Sequence, residues 1–186
     1  MKGWKTIEKN LGEVYLRVVQ ERYKGLKNLG DKAINQLSDE DMKWAYNEES
    51  NCVAVIVKHM SGNMVSRWTD FLTSDGEKSY RNRDQEFHDN ISSKEELMNV
   101  WEIGWKTLFD TLSSLKEQDL LKIITIRGEE HLVIDAIERQ LAHYAYHVGQ
   151  IVYIGKLVKG DKWESLSIPK GQSEDYLQQM LDKHQS

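Results

Sequence analysis

The sequence predicts an all-α fold, a four-helix bundle with one short β-hairpin placed before the last long helix. Three observations carry that prediction. Apolar residues recur at three- and four-residue steps along four long stretches, which puts them on one face of a helix. The chain has a single proline, Pro169, so no ring interrupts a helix earlier in the chain. Between the third and fourth stretches the texture changes: β-branched residues flank Gly128.

The first helix is expected over about residues 4–29, where Ile7, Leu11, Val14, Tyr15, Val18, Tyr23, Leu26 and Leu29 form the stripe. Gly30-Asp31 supplies its stop, since glycine accepts the left-handed cap conformation cheaply. A second helix follows over about residues 51–73, with Ser50 or Asn51 as cap and His59 within it. Residues 74–91 are polar and aperiodic and read as a long exposed loop. Ser92-Ser93-Lys94-Glu95-Glu96 has capping-box spacing and opens the third helix, whose stripe runs from Leu97 to Leu112. Ile123, Ile124 and Ile126, then Arg127-Gly128, then His131-Leu132-Val133 read as a hairpin packed on the helices. The fourth helix covers about residues 134–158 and ends at Gly160. A packed tail, residues 161–186, includes a short helix over about residues 173–182.

A length of 186 residues suits one domain, residues 1–186. The apolar share of 39% and charged share of 30% are those of a globular chain. A formal net charge of -5, with Lys and Arg scattered among Asp and Glu, argues against a nucleic-acid partner. No apolar run is long enough to span a bilayer, and the polar start Met1-Lys2-Gly3-Trp4-Lys5 lacks a signal peptide's apolar stretch. One cysteine, Cys52, excludes an internal disulfide framework and is read as structural. The expectation is a cytoplasmic protein. Trp68, Trp101 and Trp105 fall on helical stripes and are expected in the core. Gly149 and Gly155 are expected to permit close helix approach.

The chemistry concentrates in Arg139-Gln140-Leu141-Ala142-His143-Tyr144-Ala145-Tyr146-His147-Val148-Gly149-Gln150. Residues four apart share a helix face, so His143 and His147 can direct two imidazoles at one ion. A zinc-type centre takes a third protein ligand and keeps a position open. Of the other histidines, His88 lies in the polar loop, His131 in the hairpin and His184 in the tail. Only His59 sits within a long amphipathic helix. Histidines four apart also occur as hydrogen-bonded core residues, and spacing alone leaves both readings open. Asn63 and Arg67 follow His59 at helical steps, Arg139 precedes His143 by one turn, and Gln150 follows His147 by three residues. These four are candidates for holding a substrate or orienting an imidazole, though for Arg67 and Arg139 pairing with surface carboxylates is the first reading. Glu138 reads as a solvated charge.

The string His143-Tyr-Ala-Tyr-His147-Val-Gly-Gln150, preceded by Ile126-Arg127-Gly128-Glu-Glu-His131 and Arg139-Gln140-Leu141, resembles the DinB-like (damage-inducible) superfamily. The narrower likeness is to a branch described as a domain of unknown function. It extends over nearly the whole chain, to the tail Leu166-Ser-Ile-Pro169-Lys-Gly171-Gln-Ser173. The resemblance implies a single DinB-like four-helix bundle, often dimeric, with a metal held by one histidine of the second helix and two of the last. Position by position these are His59, His143 and His147. It also implies a metal-dependent enzyme that activates a low-molecular-weight thiol or water, for transfer onto an electrophile or for hydrolysis. The alternative is a non-catalytic helical module that the metal stabilises for dimerisation or partner binding. Imidazole ligands point to a divalent transition metal, zinc or nickel first.

Overall fold

The computed structural model describes residues 10–88 and 90–185. The fold is mostly helical, with one two-stranded antiparallel hairpin. In order the helices are α1 (Leu11–Asn35), α2 (Val53–Trp68), α3 (Arg83–Glu86), α4 (Lys94–Ser114), α5 (Val133–Lys159) and α6 (Ser173–Gln185). The strands β1 (Ile123–Ile126) and β2 (Glu129–Leu132) lie between α4 and α5. No helix among the described residues is long and apolar enough to cross a membrane.

The four long helices enclose one core. Helix α2 packs most extensively on α4, α1 packs on α5, and contacts of α2 with α5 and α1 with α4 join the two pairs. Trp68, Trp101 and Trp105 are buried there as expected, with Tyr23 and Tyr144 between them in edge-on ring contacts. The polar tips of Tyr23, Trp68, Trp101 and Tyr144 are hydrogen-bonded, as burial requires, while Trp105 Nε1 is buried with no partner among the described residues. Tyr23 donates to the Ile137 carbonyl at 2.8 Å, and Trp101 Nε1 donates to Asp31 at 2.6 Å. Helices α2 and α4 meet where both backbones are small. A Cβ on Gly104 would stand 2.8 Å from Ser61 Cα, and Ser61 donates its hydroxyl to the Val100 carbonyl at 2.7 Å.

Several boundaries differ from the sequence reading. Residues 4–9, assigned to the first helix by periodicity, lie outside the described residues. Helix α1 does not stop at Gly30 but continues to Asn35. Gly30 is a packing residue: an added Cβ would come 2.5 Å from the Trp101 ring. Helix α2 begins at Val53 behind Cys52, and neither Ser50 nor Asn51 caps it; Ser50 donates instead to the Asn47 side chain. The expected cap of α4 is present, Ser93 accepting from Glu96 N at 3.2 Å, while the Glu96 carboxylate accepts from Ser92 N and Oγ. Gly155 admits the Trp163 ring rather than a helix, and Gly149 faces open space.

The hairpin turn is tight because Arg127 and Gly128 both take positive φ, 58° and 76°, the conformation a two-residue antiparallel loop requires. Asp75 secures it by accepting from the backbone N–H groups of Arg127 and Gly128 at 2.9 and 2.8 Å. The two largest departures are in the connecting segments. Residues 74–91 are no simple exposed loop, since Gly76, Glu86 and Ile91 are buried in them and α3 forms there. The tail is less packed than expected. Trp163 and Leu166 reach the core, whereas α6 leaves Tyr176, Leu177 and Leu181 exposed.

Candidate metal centre

Helices α2 and α5 bring His59, His143 and His147 together. The candidate ligand atoms of the three imidazoles lie within 4.8 Å of one another. On α5 the one-turn spacing places the two rings edge to face, with Nε2 of His143 and Nε2 of His147 3.0 Å apart. The His59 ring stands edge-on to both, its centroid 5.6 Å from that of His143 and 5.0 Å from that of His147.

The partners of these rings decide which nitrogens face inward. His59 Nδ1 lies 3.0 Å from Glu86 Oε2. A carboxylate only accepts, so Nδ1–H donates, and in the neutral ring Nε2 is the lone-pair nitrogen. His147 Nδ1 stands 2.8 Å from Gln150 Oε1; the amide carbonyl accepts there too, again leaving Nε2 as the lone-pair nitrogen. Gln150 is held in turn by donating to the Tyr146 hydroxyl at 3.0 Å. Phe87 stacks on His59 with ring centroids 5.0 Å apart. Burial and the neighbouring His147 and His59 push the His143 imidazole down to about 3, and burial lowers His147 as well. Neutral imidazole is the form that ligates.

This arrangement fits a metal ion. Two Nε2 atoms 3.0 Å apart are satisfied by one proton shared between them or by a cation that both bind. Nitrogen ligands on a tetrahedral ion at about 2.0–2.1 Å stand about 3.3 Å from each other, close to the observed separation. Carboxylate and amide partners on the outer ring nitrogens are the usual supports of ligating imidazoles.

The support of His59 comes from the segment read as an exposed loop. Glu86, at the end of α3, is buried, and so is the Arg81 side chain, 3% exposed. Arg81 grips the Glu86 carboxylate with two hydrogen bonds, Nε to Oε1 at 2.7 Å and Nη2 to Oε2 at 2.8 Å. Arg81 and His59 hold Glu86 below the usual carboxylate range although burial opposes this. Close approach of the carboxylate to α2 depends on Gly62, whose added Cβ would meet Glu86 Oε1 at 2.3 Å. Glu77 extends the network, pairing with Arg67 at 3.1 Å, Arg127 at 2.9 Å and Arg81 at 3.4 Å.

Of the four further candidates, Gln150 alone hydrogen-bonds one of the three histidines among the described residues. Asn63 accepts from the Tyr144 hydroxyl at 2.9 Å, and that hydroxyl accepts from Trp68 Nε1 at 3.1 Å. Arg67 is buried against the Gly76 carbonyl and Glu77. Arg139 is exposed, 3.3 Å from His131 Nε2. One concavity opens on the histidines, and a second reaches Gln150. A cavity of about 220 Å³ has His59, His143, Asn63, Arg67 and Arg139 in its wall. A groove of about 910 Å³, walled by Trp44, Tyr46, Tyr153 and Leu157, reaches Tyr146 and Gln150. Sequence reasoning missed Glu86, Arg81 and Glu77 because no periodicity marks them. The one available signal was a cluster of opposite charges in an otherwise featureless segment.

The family described as Protein of unknown function (DUF1572) matches residues 10–172, and the chain belongs to that family. No curated protein matches the chain. The match takes in all three histidines together with Glu86 and Gln150.

Proposed function

We propose that this protein is a metal-dependent enzyme of the DinB-like type. In this reading the four long helices form that superfamily's bundle, and His59, His143 and His147 hold a divalent transition metal, zinc or nickel first. The observation that carries the reading is the convergence of the three imidazoles, two of them backed by Glu86 and Gln150. A bound ion would supply Lewis acidity and lower the pKa of a thiol or water beside it, so that a nucleophile exists at neutral pH. The reaction is thiol transfer onto an electrophile, or hydrolysis.

The chain's own residues have defined tasks. His143 and His147 stay unprotonated at neutral pH because burial disfavours their charge. Glu86 fixes the tautomer and plane of His59, and Gln150 does so for His147. The cavity walled by His59 and His143 gives a small substrate its approach. The test is metal analysis of the purified chain, followed by histidine-to-alanine variants assayed against panels of thiols and electrophiles. Turnover surviving complete removal of the metal would overturn the proposal.

A second reading, a metal-stabilised module without catalysis, is favoured by the exposed aromatic groove, with Tyr46 and Tyr153 on its wall. There a second copy of the chain could seat to make a homodimer. Chelator would then lower the melting temperature strongly with no turnover on any substrate, because a ligand bound to the native state stabilises by mass action.

A further inference from the structure

The cavity of about 220 Å³ beside the histidines has an unusual wall. Arg67, Arg81, Arg83, Arg127 and Arg139 all line it, and no carboxylate does among the described residues. Glu77 and Glu86, which pair with Arg67, Arg81 and Arg127, are not part of the lining. Five guanidiniums against those two carboxylates leave positive charge in excess. Clustered like charge is costly unless something of opposite sign offsets it.

Not every arginine here is spent on structure. Arg81 commits all three of its nitrogens to Glu86 and Glu77. Arg139 has no carboxylate partner among the described residues, only His131 Nε2 at 3.3 Å. Arg83 lies over the Phe87 ring, 5.2 Å from its centroid. Arg127 gives Nε to Glu77 and remains half-exposed. Two buried polar atoms of the wall are also unpartnered. Arg67 is 4% exposed and uses its terminal nitrogens on Gly76 and Glu77, yet its Nε has no acceptor. Gln140 is 5% exposed, and its Oε1 has no donor. A buried donor without a partner is unfavourable, so a group that accepts from Arg67 gains more here than it would in water.

We infer that this cavity is the anchor for a small oxyanion, a carboxylate or phosphoryl group carried by the substrate. Guanidinium forks match the planar or tetrahedral oxygens of such groups in a way a lone ammonium does not. Gln140 faces the same space and takes a hydroxyl or N–H of the ligand. The volume suits a head group, not a whole drug-sized molecule. His59 and His143 share the wall, so a substrate held by its oxyanion presents its other end to the candidate metal centre. This last step rests on the metal-centre reading; the anion site itself does not.

The experiment titrates the chelator-treated chain with inorganic phosphate and with acetate at constant ionic strength, followed by calorimetry and thermal melting. At least one of the two anions is expected to bind saturably and raise the melting temperature. R127Q and R139Q, both at exposed positions, are expected to weaken it about tenfold each, the loss of one charge-assisted hydrogen bond, with unchanged circular dichroism. Preference for phosphate identifies a phosphoryl substrate, and preference for acetate a carboxylate. Absence of saturable binding by both, or equal affinity in wild type and the two variants, overturns the inference. Metal uptake is measured on the same samples. Normal uptake without anion binding removes the anion site alone, whereas anion binding without uptake removes the metal-centre reading alone.

Discussion

Glu86 Oε2 lies 3.0 Å from His59 Nδ1, and both side chains are more than nine-tenths buried. The carboxylate is therefore committed to that imidazole and to Arg81, with little water to replace either. Removing its charge while keeping its shape tests the relationship directly. Glu86→Gln is expected to lower metal affinity about 10–100-fold, the usual effect of losing an outer partner of a ligating histidine. Calorimetric titration with zinc checks this, and an unchanged affinity would show that Glu86 is structural only.

Arg81→Met leaves the Glu86 carboxylate buried without its cation. Breaking one half of a buried pair costs about 3–5 kcal/mol, so the urea midpoint should drop by a large fraction of the total. Arg81→Met combined with Glu86→Met should recover much of the stability, but not the metal affinity. Failure of the double variant to recover any stability would contradict the pairing.

Gly62→Ala places a methyl group 2.3 Å from Glu86 Oε1. The carboxylate is the end of a flexible side chain, so it moves aside and withdraws from His59. Metal affinity should fall roughly as in Glu86→Gln, by about tenfold or more, while the unfolding midpoint changes less than in Arg81→Met. Zinc titration and urea unfolding of the same preparation separate the two effects.

The pH dependence of the metal-free chain follows from His143, whose imidazole is pushed from an ordinary 6.5 down to about 3. Below pH 6.5 the unfolded chain takes up a proton that the folded chain refuses, so stability falls as the pH drops through that window. His147, also lowered, adds to the same slope. Glu77 and Glu86, depressed from 4.5, add a loss of the same sign only below about that pH. Urea unfolding of chelator-treated protein between pH 7 and 5 should show this decline, and His143→Gln should flatten it. A profile unaffected by His143→Gln would contradict the burial of this ring.

The histidine pair on α5 was legible because a helix encodes it locally: four residues of spacing place His143 and His147 on one face whatever packs around them. The placement of His59 came from the amphipathic stripe around it together with the resemblance. Its support was not legible. Arg81 and Glu86 lie in a polar segment without period, and the fold of such a segment is set by long-range pairing that no local pattern reports. Gly30 misled for a related reason. A glycine that ends a helix and one that admits an indole look alike until Trp101 is placed against it. The α2 start was missed because Cys52 precedes it without a capping side chain. Hairpin and α4 boundaries were readable because turn and cap residues carry their own short-range chemistry.

Between Asp75, tied to the hairpin turn, and Glu86, tied to His59, the chain is fastened at both ends but shows the protein surface at Ser79, Tyr80, Asn82 and Arg83. A single proteolytic nick after Arg83 would leave every long helix intact and every histidine covalently in place. It would nonetheless cut the tether that aims one imidazole. Helical content would then be a poor gauge of intact preparations, and electrophoretic homogeneity around that bond the better one.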